Sequence, residues 1–236
     1  MALEQNKPAA PPTARQTKSL LLALMVLTFN TGLIDAVSYI GLGRVFVANM
    51  TGNVVLLAFA AAGVSGLSVT RALSSLGGFL IGATIGERLG TSLAAGSRRR
   101  LIVSAGILEA LLIFAAAVSA VGFDMRSSAP VHQLYAMIVL TALSMGLRNA
   151  TVRQLGVADV TTTVLTLTLI GLAADSSVAA GVTRGATHLL NNSPLRGRTS
   201  GAYLLRYGIA LPLFITGACV LLTTAAYAAV AGLVKD

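Results

Sequence analysis

Eight acidic residues and two histidines in 236 positions leave few side chains for chemistry, and several of them lie inside apolar runs. Residues 46–53 read FVANMTGN and place Asn49, Thr51, Gly52 and Asn53 within a long hydrophobic segment. A buried amide without partners costs roughly 2–7 kcal/mol in an apolar medium. These groups must therefore bond to one another, to other helices, to water or to a cargo. Asp35 lies in the second half of the first apolar run, with Asn30 and Thr31 about one turn earlier. An ionisable group at that depth is costly and faces the protein interior or a wet cavity. Two readings stand. Asp35 is a proton or cation site with Asn49, Thr51 and Asn53 as neutral partners, or it caps backbone amides exposed where the helix breaks near Gly41 and Gly43.

Glu109 falls mid-way along residues 100–122, roughly 13 Å beyond the arginine run at the helical rise of about 1.5 Å per residue. A lone carboxylate there needs a partner, and Arg148 and Arg153 are the candidates. A proton-coupling role for Glu109 is the functional reading. Arg148 is compatible with an ion pair to Asp35, with an anion site, or with snorkelling to the surface, the plainest of the three. Asp159 followed by Thr161, Thr162 and Thr163 reads as a helix N-cap, at which an anionic group could also bind. His132 and His188 are solitary, and no zinc, P-loop, nucleophile-elbow or C-x-x-C pattern occurs. The expectation is a protein that is not an enzyme and carries no metal or cofactor.

The elements that position these groups are dictated by composition. Hydrophobic residues make up 55% of the chain and charged ones 11%, with a mean hydropathy of +0.81. Soluble domains carry about 25% charged residues, so this is a polytopic membrane protein whose partner is the lipid bilayer. Apolar stretches near 19–43, 46–66, 70–92, 100–122, 131–152, 157–174 and 201–232 predict an all-α fold of six to seven membrane segments. Residues 1–18 read as a disordered cytoplasmic tail and 19–236 as one transmembrane domain, with halves 19–92 and 131–232 joined by 100–122. The net charge of +9 comes from arginines between apolar segments, as the positive-inside rule places them, and not from a nucleic-acid surface. The lone cysteine, Cys219, excludes an intrachain disulfide.

An internal duplication is suggested by Gly32-Leu33-Ile34-Asp35-Ala36 and Gly146-Leu147-Arg148-Asn149-Ala150, each followed by a threonine-bearing apolar segment. Asn149 is thereby the counterpart of Asp35, and 70–92 is matched with 201–232. If 46–66 and 157–174 enter and leave on one face, only Arg44, Arg71, Arg126 and Lys235 lie outside; this satisfies the positive-inside rule and makes the halves inverted. Gly52 is the expected backbone break.

Gly78, Gly82, Gly86 and Gly90 recur at every fourth position and predict a close helix-packing seam, or equally a face for a homodimer. The run Gly32, Asp35, Ala36, Phe46, Asn49, Thr51, Gly52 and Asn53, with Arg148 and Asn149 in the second half, resembles the YoaK-like family of bacterial membrane proteins, domain of unknown function 1275. That resemblance spans about residues 20–230 and implies a multi-pass inner-membrane protein of six or seven helices, without implying an activity. Together these features favour a small secondary transporter or permease for an unknown small solute or ion. Asp35, Asn49, Thr51, Asn53 and Asn149 would line its site, with Glu109 and Arg148 as coupling groups. The competing reading is a non-transporting membrane scaffold or a stress-response or assembly module.

Overall fold

The computed structural model describes residues 14–93, 98–123, 131–154 and 196–233. It contains α1 (Ala14–Gly41), α2 (Met50–Ala61), α3 (Val69–Leu93), α4 (Arg98–Ser119) and α5 (Val131–Gln154). Helical residues 196–204 then run into a 3-10 turn at Leu205–Tyr207, and α6 (Ala210–Leu233) follows. No strand occurs among the described residues. Among the described residues, four helices are long and apolar enough to cross a membrane: α3, the Arg99–Ser119 part of α4, α5, and Ala210–Ala229 within α6. Helix α1, at 28 residues, reaches about 42 Å at the helical rise.

Two boundaries differ from the hydropathy pattern. Helix α1 begins at Ala14, so the last residues of the expected 1–18 tail are helical, while 1–13 lie outside the described residues. The 201–232 stretch is two elements, because Gly208 at φ 96° turns the chain before α6 starts. The 157–174 segment, with Asp159 and its threonines, and His188 lie outside the described residues.

Helix α2 is too short to cross by itself. Its 12 residues reach about 18 Å, against a hydrocarbon thickness of about 30 Å. Its flanks also meet: Arg71 Nη1 donates to the Gly43 carbonyl at 2.9 Å and Ser75 Oγ to the Phe46 carbonyl at 2.6 Å. Arg44 Nη1 lies beside Gly66, 2.8 Å from where its Cβ would be. Segment 46–66 thus begins and ends at one end of the bundle, with Val54, Val55 and Phe59 exposed on α2.

The glycine seam of α3 is filled by α5. A Cβ on Gly78 would meet the Val139 carbonyl at 3.1 Å, and one on Gly86 the Leu147 carbonyl at 2.8 Å and Ala150 Cβ at 2.9 Å. A Cβ on Gly82 would overlap the Leu143 carbonyl, and one on Gly90 the Gln154 side chain. Both sets of numbers rise together, so α3 and α5 run parallel with backbones in contact. This face is occupied within the chain and is not open to a second copy.

A second seam has the same form. Gly197 packs on the Phe29 carbonyl, and a Cβ on Gly201 would meet the Leu33 carbonyl at 2.8 Å and Ala36 Cβ at 3.0 Å. Helices α4 and α6 cross antiparallel through Gly106 against Thr224 and Gly217 against the Phe114 ring. Between these contacts lies a core that includes Leu33, Ile34, Ile113, Met137, Met145 and Leu213.

Candidate functional site

The polar run after α1 is a self-satisfied turn. Gly43 at φ 86° and Arg44 at φ 62° reverse the chain, so the break lies there and not at Gly52, which is the third residue of α2. Past the break, the backbone amides of Val47, Ala48 and Asn49 converge on one oxygen, donating to Asp35 Oδ1 at 3.3, 2.9 and 3.4 Å. Asn49 is the N-cap of α2, its Oδ1 accepting from Gly52 N at 3.2 Å. Gly52 serves by its size, since a Cβ there would press on Asn49 Nδ2 at 2.9 Å and on the Phe46 ring at 3.1 Å. Asn53 ties the turn to α3, accepting from Phe46 N at 3.3 Å and donating Nδ2 to the Ala72 carbonyl at 3.1 Å.

These amides answer the sequence puzzle locally. Asn49 and Asn53 spend their bonds on backbone, and Thr51 is exposed. Asn149 does not join them: its Nδ2 donates to the Met145 carbonyl of its own helix at 3.0 Å.

A different polar cluster occupies the middle of the bundle. Arg148 of α5 does not snorkel; it is only 6% exposed and pairs with Glu109 of α4, itself 4% exposed. Arg148 Nε donates to Glu109 Oε1 at 2.7 Å and Nη2 reaches the same oxygen. Nη1 turns to α1, donating at 3.0 Å to both the Leu27 carbonyl and Thr31 Oγ1. One guanidinium thereby joins three helices, and its partner is Glu109 rather than Asp35. The arginine whose charge acts on Asp35 is Arg198, on the helical stretch that packs against α1.

Three buried groups in this region have no hydrogen-bond partner. They are both amide atoms of Asn30, Oγ of Ser144 and Nε of Arg198. Asn30 and Ser144 are each 0% exposed. Asn30 lies one residue before Thr31, and Ser144 one turn before Arg148. Thr141 and Thr151, the other hydroxyls of the α5 interior, bond back to the Met137 and Leu147 carbonyls. Ser144 makes no such bond. An unsatisfied buried polar group costs about 1–3 kcal/mol, so this concentration needs a physical explanation.

The prominence of FVANMTGN drew sequence reasoning away from Ser144 and Arg198. A signal for Ser144 was present: Asn30 stands two residues before Gly32, and Ser144 two before Gly146, in the two Gly-Leu copies. Among the described residues no group of three or more His, Cys, Asp or Glu side chains is arranged to hold a metal ion.

Comparison with known proteins agrees with a membrane assignment. Residues 23–233 match the model of a family described as protein of unknown function, DUF1275. The UPF0700 transmembrane protein YoaK of Bacillus subtilis (strain 168) is 36% identical over 165 residues, covering 70% of each chain. No solved structure matches.

Proposed function

This chain belongs to the DUF1275 family of membrane proteins, and from that premise we propose that it is a small secondary transporter of two inverted, related halves. The observation that carries this reading is the exchange of glycine seams. Gly86 packs on Leu147 and Ala150, and Gly201 packs on Leu33 and Ala36, with contact distances agreeing within about 0.1 Å. Leu33 and Ala36 are to the first Gly-Leu copy what Leu147 and Ala150 are to the second. On this reading each half lends its glycine helix to the other half's first helix, as a two-fold relation between the halves would produce. The first half is α1 to α4; the second runs from α5 through 196–204 to α6.

In this register the counterpart of Gly82 and Gly86 is Gly197 and Gly201, so 70–92 pairs with the helix ending at 204 rather than with 201–232. Inverted repeats place substrate near the midplane where the halves meet, and one half rocks on the other. Glu109 and Asn30 lie near the middles of α4 and α1, which supports reading the cluster around Arg148 as that site. Asp35, Asn49 and Asn53 then hold the turn that starts α2, and no bond-breaking chemistry is assigned. All-helical spans of this kind suit an inner, phospholipid membrane.

The test is alternating access. A cysteine replacing Ser144 in a Cys219→Ser background should react with a membrane-impermeant thiol reagent added to either side of reconstituted vesicles. Protection from both sides would instead support a static scaffold.

A further inference from the structure

The unpartnered groups at the centre of the bundle say what kind of cargo the site accepts. Asn30 offers two donors and an acceptor, and Ser144 a hydroxyl that does both; each is fully buried and unbonded. They occupy matching places in the two Gly-Leu copies, two residues before Gly32 and Gly146. Both lie within a turn of the Arg148 clamp, which bonds to Leu27 and Thr31 on the Asn30 helix. Arg198 Nε adds a third unbonded donor from the helix whose Gly197 packs on Phe29, the residue preceding Asn30.

Charge decides the class of ligand. Arg148 is paired with Glu109, and four of its five N–H groups are committed to Glu109, Leu27 and Thr31. Arg198 faces Asp35. Two arginines and two carboxylates therefore balance in this region, and a bound ion would have to break the Arg148–Glu109 pair or enter without a counter-charge of its own. The groups left over are an amide, a hydroxyl, the Arg198 Nε–H and one N–H of Arg148. Amides and hydroxyls buried without partners complement a molecule that carries both donors and acceptors and no net charge.

We infer that Asn30 and Ser144, one from each half, form the contacts for a small neutral polar solute of the amide, urea or polyol class at the centre of the bundle. This rests on the transporter reading and specifies its substrate.

The experiment reconstitutes the full chain in phospholipid vesicles and follows entry of glycerol, urea and acetamide by stopped-flow light scattering, with potassium and chloride flux measured alongside. At least one neutral probe should enter tenfold or more faster than into protein-free vesicles. Asn30→Leu should return that rate to the protein-free value, and Ser144→Ala, which removes only an unbonded hydroxyl, should lower it at least threefold. Elution as a monodisperse species checks that each variant is folded. The inference is overturned if none of the three solutes is accelerated, if only water permeability rises, or if Ser144→Ala keeps the wild-type rate. Ion flux without solute flux would sink it and leave a transporter, whereas neither flux together with a Ser144→Cys thiol sealed from both sides would remove the transporter reading as well.

Discussion

Arg148 grips Glu109 from two nitrogens at the middle of the bundle, and the same guanidinium reaches across to Thr31 on α1. Removing one charge strands the other. Glu109→Gln should therefore destabilise by about 3 kcal/mol, as expected when one partner of a buried pair is lost. Glu109→Met combined with Arg148→Met should recover most of that, because the second change removes the stranded charge. Thermal unfolding in detergent reads both, and equal losses in single and double variants would show that the pair is not coupled.

Asp35 predicts a graded response. Asp35→Ala removes the oxygen that gathers the Val47, Ala48 and Asn49 amides and should cost about 2–3 kcal/mol, the range of hydrogen bonds to a charged group. Asp35→Asn keeps one carbonyl acceptor and should cost about 1 kcal/mol. Limited proteolysis within 42–49 should follow the same order. A loss of transport in Asp35→Asn with stability unchanged would instead return Asp35 to the role of an ion site.

Two glycines on α3 separate packing from propensity. Gly82→Ala drives a methyl group into the Leu143 carbonyl and should cost about 2 kcal/mol. Gly77→Ala meets nothing within 4 Å and should be neutral or stabilising by up to about 1 kcal/mol, since alanine favours a helix over glycine. Melting curves for the two should move in opposite directions or differ by at least several degrees.

The path of α2 can be read from vesicles of one orientation. Cysteines at Ser65 and Arg44, in a Cys219→Ser background, should label from the same side, and a cysteine at Arg100 from the opposite one. Labelling of Arg44 with Arg100, and of Ser65 from the other side, would mean that 46–66 crosses the membrane.

Much of the fold was legible because its signals are local. The period-four glycines of α3 announce close helix contact, and runs such as 100–122 are long and apolar enough to span a membrane. The capping reading of Asp35 was equally accessible, since glycines at 41 and 43 mark where a helix can stop. What escaped needed three dimensions. Arg148 stood among the candidate partners of Glu109, but no local pattern could choose it over Arg153 or over a snorkelling Arg148, because the choice depends on which face of α5 meets α4. Gly52 looked like the break because glycine permits one, yet the reversal sits at Gly43 and Arg44, where the chain must bend to bring three amides to Asp35. Asn30 and Ser144 were hidden differently. Each is unremarkable alone, and only their common place before Gly-Leu and their common lack of partners set them apart.

The exchanged glycine seams also set a schedule for biogenesis. Helix α1 is synthesised first, but the backbone that fits against Phe29 and Leu33 comes from Gly197 and Gly201, near the other end of the chain. At roughly 5–20 residues per second of translation, α1 spends on the order of 10–30 s in the membrane before its partner exists. Its Asn30 amide is meanwhile without the helices that bury it. A chain built this way cannot complete its first half before its last helices arrive, so quality control in the membrane has a defined intermediate on which to act.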